Sequence, residues 1–168
     1  MSETTKISWC DSTANPWIGC SKCSPGCLNC YAEHDTPARV LRHQGMETWG
    51  PFRVQHPVLG FEKTMFALNR KPWVCDKCGA AIVSSENPGT QYRNCWHDDK
   101  ASYHRRRVFI GSNCDILDDA VHIGFLARTL DVMRRCPDIT QIICTKRPEN
   151  WHPRVHEILD GHHVTGLC

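Results

Sequence analysis

The chain has no apolar run approaching the roughly 20 residues a helix needs to cross a bilayer. Its first residues, MSETTKISWC, carry no hydrophobic leader, which argues against secretion and for a cytoplasmic setting. A large net charge is missing too. Twenty basic residues stand against eighteen acidic ones, a formal +2, so charge alone does not argue for a polyanionic partner. No internal repeat is visible, and no H-E-x-x-H segment marks a catalytic zinc. With 40% hydrophobic and 23% charged residues, the 168-residue chain is neither disordered nor too short for a real core.

What is present in excess is cysteine, twelve in all, with ten histidines beside them. In a reducing compartment disulfides rarely persist. Metal binding is therefore expected ahead of disulfide stapling.

The element pattern alternates. Trp17-Ile18 reads as a short strand after the Asn15-Pro16 turn, and 20–30 as a loop around Pro25-Gly26. Helical spacing is expected from Tyr31 to about Gly45 and from Glu62 to Arg70. Arg107–Gly111 (RVFIG) and Thr140–Thr145 (TQIICT) read as buried strands, and Asp118–Cys136 is the clearest helix, stopped by Pro137. A helix over Glu149–Leu159 and a strand beginning at His163 would follow. This alternation predicts an α/β fold, a partial (β/α) barrel-like parallel sheet. A full barrel takes about 250 residues, so either the barrel is partial or the chain is shortened. Residues 72–104, poor in large aliphatics, read as a small inserted zinc-ribbon-like lobe between an N-terminal part, 1–71, and a continuation, 105–168.

The first cysteine cluster is G-C-S-K-C-S-P-G-C-L-N-C-Y. Cys23, Cys27 and Cys30 are spaced C-x3-C-x2-C, and Cys20, Cys27 and Cys30 C-x6-C-x2-C. Three thiolates suit a 4Fe–4S cluster with one iron left open. S-adenosylmethionine (SAM) fills such a corner in radical enzymes, and electron transfer then cleaves its sulfonium. Leu28 and Tyr31 are expected to shield that cluster. A zinc bound by Cys20, Cys23, Cys27 and Cys30 is the plainer alternative, although the loop is cramped for it.

The second cluster, W-V-C-D-K-C-G, begins like a zinc knuckle. Cys75, Cys78 and Cys95 supply thiolates, and His97 or His104 completes a tetrahedral structural zinc. Further candidates follow the strands. Ser112, with its neighbours Gly111 and Asn113, and Asp115 would meet the amino group or ribose of SAM; the plainer reading is a strand-to-helix turn capped by Asp115 or Asp118. Lys146 and Arg147 would hold a carboxylate or phosphate. Arg105-Arg106-Arg107 is either a phosphate contact or solvated surface. Cys114, Cys136 and Cys144 are expected in the core.

Four stretches carry a resemblance: K-I-S-W-C-D-S-T-A-N-P-W-I-G-C, S-P-G-C-L-N-C-Y-A-E, R-R-R-V-F-I-G-S-N-C-D-I-L-D-D and I-I-C-T-K-R-P-E-N-W. Together they resemble a family of phage and prophage proteins with a radical-SAM-like three-cysteine motif. The resemblance spans most of the chain outside 72–104. It implies a barrel-like α/β fold and cluster chemistry, with Cys20, Cys27 and Cys30 as the recurring cysteines and Cys23 as an addition. Members usually run on beyond the point where this chain stops. The expected function is thus a radical-SAM-like enzyme in the host cytoplasm that generates a 5′-deoxyadenosyl radical from SAM; the resemblance implies no substrate, and a nucleotide or nucleic acid is expected only from the phage association, with a phage or host protein as a further partner. The alternative is a zinc-binding module for nucleic acid or protein, without catalysis. No catalytic side chain is singled out.

Overall fold

The computed structural model describes residues 4–82 and 102–159. It divides into two compact units. One is built from Met1–Ala14, Gly60–Ile110 and Val132–Ile142, the other from Asn15–Leu59, Gly111–Asp131 and Ile143–Cys168.

The elements run β1 (Ser12–Ala14), β2 (Trp17–Ile18), α1 (Tyr31–His34), α2 (Thr36–His43), β3 (His56–Pro57), α3 (Phe61–Asn69), β4 (Trp73–Cys75), β5 (Ala81–Ile82), β6 (Tyr103–Arg105), β7 (Arg107–Ile110), α4 (Ile123–Arg134), β8 (Thr140–Ile143) and α5 (Trp151–Leu159). The architecture is mixed α/β. Its sheets are β1-β7-β8, β2-β3 and β5-β4-β6, none of them a closed barrel. The strand expected from His163 lies outside the described residues.

In the first unit, β1 and β7 pair in parallel, Ser12 opposite Val108, Thr13 opposite Phe109 and Ala14 opposite Ile110. Ala14, Val108 and Ile110 are fully buried, as expected of a short parallel sheet covered on both faces. Met65 and Leu68 of α3, with Val132 and Ile139, are also buried. Arg106 corrects the reading of the basic run as surface or phosphate contact. It is 2% exposed, its Nε donating to the Lys71 carbonyl and its Nη1 to Ser12 Oγ, both at 3.0 Å. Arg107 pairs with Asp11 at 3.1 Å, and Arg105 lies over the Trp73 ring.

Proline and carboxylates reset the helix ends. The helix expected from Tyr31 to Gly45 is two, because Asp35 is extended (ψ 162°) and caps α2 by accepting from Thr36 N at 2.8 Å. Pro37 then falls in the first turn, where its missing N–H costs nothing. The long helix starts at Ile123 rather than Asp118, since Asp118 accepts from Ala120 N at 3.1 Å and forms a turn. His122 caps it instead, its Nδ1 accepting from Gly124 N at 3.1 Å. Beyond the other end, Gln141 Nε2 donates to the Met133 and Cys136 carbonyls at 2.9 and 2.8 Å, satisfying groups the helix leaves open. The last helix also begins late, at Trp151, after a 3-10 turn over Pro148–Asn150.

In the second unit, Trp17, Trp49, Ala32, Ala38, Ile116, Leu117 and Leu126 are buried. Gly19 stands at the centre of this unit's backbone pairing. Its N donates to the Asn113 carbonyl at 3.1 Å, and Cys20 N donates to Thr48 O at 3.0 Å. Its φ is +129°, and a Cβ there would lie 2.8 Å from Thr48 O, a backbone atom with no room to yield. Gly19→Ala is expected to cost at least about 1–3 kcal/mol, read by urea unfolding. Wild-type stability in that variant would contradict the tight approach.

Candidate functional site

The cysteine loop and the residues that directly follow β1, β7 and β8 in the chain come together inside the second unit. A 3-10 turn over Pro25–Cys27 shapes the loop, with Cys27 N donating to Ser24 O at 2.9 Å. Pro25 presets the turn, and Cys30, extended, leads into α1.

None of the four loop cysteines is in a disulfide. Cys27 is buried, Cys20 and Cys30 half-buried and Cys23 exposed. Cys20 and Cys30 pack against Ala32, Ala38 and Trp49. Cys23 and Cys27 touch, sulfur to sulfur, at 3.9 Å. Of the expected shields, Leu28 is 67% exposed and Tyr31 57%. Neither is a buried wall, and Tyr31 instead donates its hydroxyl to the Ser112 carbonyl at 2.8 Å.

Arg147 ties this loop to the rest of the unit. It is 3% exposed. Its Nη1 donates to Cys20 Sγ at 3.6 Å and to Asp115 Oδ2 at 3.3 Å, while Nη2 donates to Ser21 Oγ at 2.8 Å and to the Ser21 carbonyl at 2.9 Å. Asp115 in turn accepts from Leu117 N, Thr145 Oγ1 and Lys146 N at 2.8–3.0 Å. It is at once the expected turn residue and the anchor of a cation. Asp118 pairs with Arg53, a partner that no motif announced. Lys146 is exposed, with its ammonium beside Gly26: a Cβ at Gly26 would lie 3.4 Å from Nζ.

Ser112 sits in a second polar group. Asn15 Nδ2 donates to Ser112 Oγ at 2.9 Å, and Asn15 Oδ1 accepts from Asn113 N at 2.8 Å. The Asn113 side-chain oxygen is buried with no hydrogen-bond partner among the described residues. Asn15 had been read only as a turn residue. Its role depends on Asn113, far away in sequence, and so left no local signal.

The thiols differ in acidity. The Cys23 backbone lowers the Cys27 pKa; burial works against this, and the Ser24 hydroxyl 3.6 Å away and the Ser24 backbone add to it, bringing the value from 9.0 to about 7. Burial raises Cys20, with Arg147 partly offsetting it, and burial raises Cys23 as well. Burial disfavours the Arg147 charge, yet Cys20 and Asp118 outweigh it and hold its pKa above the ordinary value.

The remaining candidates are scattered. In the first unit, Cys75 is buried and Cys78 exposed, on a tight turn closed by Gly79 N to Cys75 O at 2.8 Å. Cys95 and His97 lie outside the described residues. His104 has both ring nitrogens engaged, Nε2 with Asp11 at 3.0 Å and Nδ1 with Asp76, and would have to release one to bind a metal. Cys114 and Cys136 are buried as expected, but Cys144 is exposed, because β8 ends at Ile143. Among the described residues, no three His, Cys, Asp or Glu side chains converge on a single ion, and no helix is long and apolar enough to cross a membrane.

Fold and site together define a mixed α/β protein with a thiol-rich loop held by a buried arginine. The chain belongs to the family DUF5131, described as a protein of unknown function, whose profile matches residues 4–163. No curated protein and no solved structure matches it.

Two outcomes test this geometry. Because the fold lowers the Cys27 pKa from 9.0 to about 7, the ionised sulfur contributes stability above pH 9, and that contribution fades as pH falls through about 7. In metal-free protein the pH profile of Cys27 alkylation should have its midpoint near 7, and Ser24→Ala should move it up towards 9.0; an unmoved midpoint would deny the hydroxyl its role. Asp115→Ala leaves Asp118 3.8 Å from the buried guanidinium but removes one Arg147 acceptor and the acceptor of three further donors, and should cost about 1–3 kcal/mol in chemical denaturation.

Proposed function

We propose that this protein is a radical-SAM-like iron–sulfur protein, with Cys20, Cys27 and Cys30 holding a 4Fe–4S cluster that has one open corner. The observation that carries the reading is the grouping itself: one short loop presents four thiols beside a buried guanidinium and an exposed ammonium, and one thiol ionises near neutrality.

The donor set suits such a group. Thiolate sulfur is the ligand iron–sulfur clusters take. A lone zinc needs its donors to converge on one point, and no three described donors do so. A cluster puts its thiolates on separate irons, so they need only surround one centre rather than meet at a point. Held by Cys20, Cys27 and Cys30, a cluster would supply the electron for reductive cleavage of the SAM sulfonium.

The chain's own residues bind and orient. Arg147 donates to the Cys20 sulfur and fixes the loop through Ser21, offsetting thiolate charge in a buried setting. Asp115 holds that guanidinium in place and orders the Thr145–Arg147 turn. The exposed Lys146 ammonium is the group for the SAM carboxylate, and Ser112, beside Asn15, is the polar contact for its amino group or ribose. The proposed substrate is a nucleotide or nucleic acid, the setting a phage-infected cytoplasm. A structural zinc on Cys75, Cys78 and Cys95, with His97 or His104, belongs to the same reading.

Anaerobic reconstitution tests it. About four irons and one zinc per chain are expected, together with reductant-dependent cleavage of SAM. Cys27→Ala should lose the iron and keep the zinc. Zinc on both clusters without iron would overturn the cluster in favour of a zinc-binding interaction module, and iron without SAM cleavage would overturn the radical chemistry.

A further inference from the structure

Two of the four loop thiols are placed differently from the others. Cys20 and Cys30 pack against Ala32, Ala38 and Trp49. Cys23 and Cys27 meet each other, their sulfurs 3.9 Å apart across the Pro25–Cys27 turn, and Cys23 is exposed. The turn keeps them facing, with Cys27 N bonded to Ser24 O. Cys23 Sγ also lies 3.6 Å from the Lys146 carbonyl, and Ser24 Oγ 3.6 Å from Cys27 Sγ. A disulfide requires sulfurs about 2 Å apart. Closing that gap requires the exposed Cys23 side chain and its loop to move by about 2 Å.

We propose that Cys23 and Cys27 are a dithiol redox pair, closing to a disulfide in the cluster-free chain and thereby withdrawing Cys27 from the ligand set. The consequence for iron rests on the reading above; the pair itself does not. The oxidant is a low-molecular-weight disulfide such as glutathione disulfide. The Cys27 sulfur attacks one of its sulfurs, a mixed disulfide forms, and one glutathione thiolate leaves. The Cys23 sulfur then attacks the Cys27 sulfur, and the second glutathione thiolate leaves. Two electrons pass from the dithiol to the oxidant, and the two cysteine protons end on the two glutathiones. Reduction by excess thiol reverses both steps. Cys23 is thus the resolving thiol that keeps Cys27 from being held as a mixed disulfide.

The experiment uses the full metal-free chain, treated anaerobically with glutathione disulfide and mapped by non-reducing peptide mass spectrometry. A Cys23–Cys27 cross-link without retained glutathione is expected. In Cys23→Ser the mixed disulfide should instead be trapped on Cys27. Cross-linked wild type should take up no iron on reconstitution, and dithiothreitol should restore uptake. The pair is overturned if wild type accumulates the glutathione adduct, if the thiols stay unlinked, or if the link runs to Cys20 or Cys30. Its consequence for the ligand set is overturned if the cross-linked chain binds iron as the reduced chain does. A reduced chain that binds no iron overturns the cluster reading alone, since the peptide map still decides the pair.

Discussion

Much of the second unit hangs on the ion pair between Asp115 and Arg147. Both groups are buried, and two charges withdrawn from water are tolerable only if almost every lone pair and N–H finds a partner. Here they do. Asp115 accepts from two backbone N–H groups, the Thr145 hydroxyl and Arg147. Arg147 also donates from Nη1 to Cys20 and from Nη2 to Ser21, with Asp118 3.8 Å from Nη2. The segment after β7, the segment after β8 and the cysteine loop are thereby fixed to one point. Such a pair adds little net stability over apolar packing, but it dictates one arrangement and forbids others that would strand a charge.

That arrangement gives otherwise identical thiols distinct chemistry. Cys114 is sealed in the interior and its pKa is raised well above the ordinary value by burial; it behaves as a small apolar residue. Cys20 is desolvated but faces a guanidinium. Cys27, a few residues on, is drawn towards the thiolate by nearby donors. A loop carrying both protected and ionisable sulfurs at one cationic turn has the thiolate chemistry on which the proposed cluster and the proposed thiol exchange both depend.

The fold was partly legible before any coordinates. RVFI and TQII carry their strand character locally, in β-branched and aromatic residues bounded by turns, and the apolar stripe of α4 repeats at helical spacing. Helix ends were less so. Pro37 and Asp35 together split a helix that periodicity alone runs together, and Asp118 forms a turn by accepting from Ala120 N. Cys144 looked like a core residue from its apolar neighbours, yet the strand stops one residue short of it. Arg106 looked like surface because its run is basic; its burial depends on the Lys71 carbonyl and Ser12, neither of them near it in sequence.

By itself the sequence determined that thiols are concentrated on the 20–30 loop, since cysteine count and spacing are local properties and so is the turn signal of Pro25-Gly26. The acidity of Cys27 is set inside the loop by Cys23 and Ser24, whereas tertiary structure alone decided which thiol is exposed and which is desolvated. It also decided that Asn15, Ser21 and Arg53 join the polar framework. Those outcomes rest on contacts between segments distant along the chain, and burial and electrostatic pairing exist only once such segments meet.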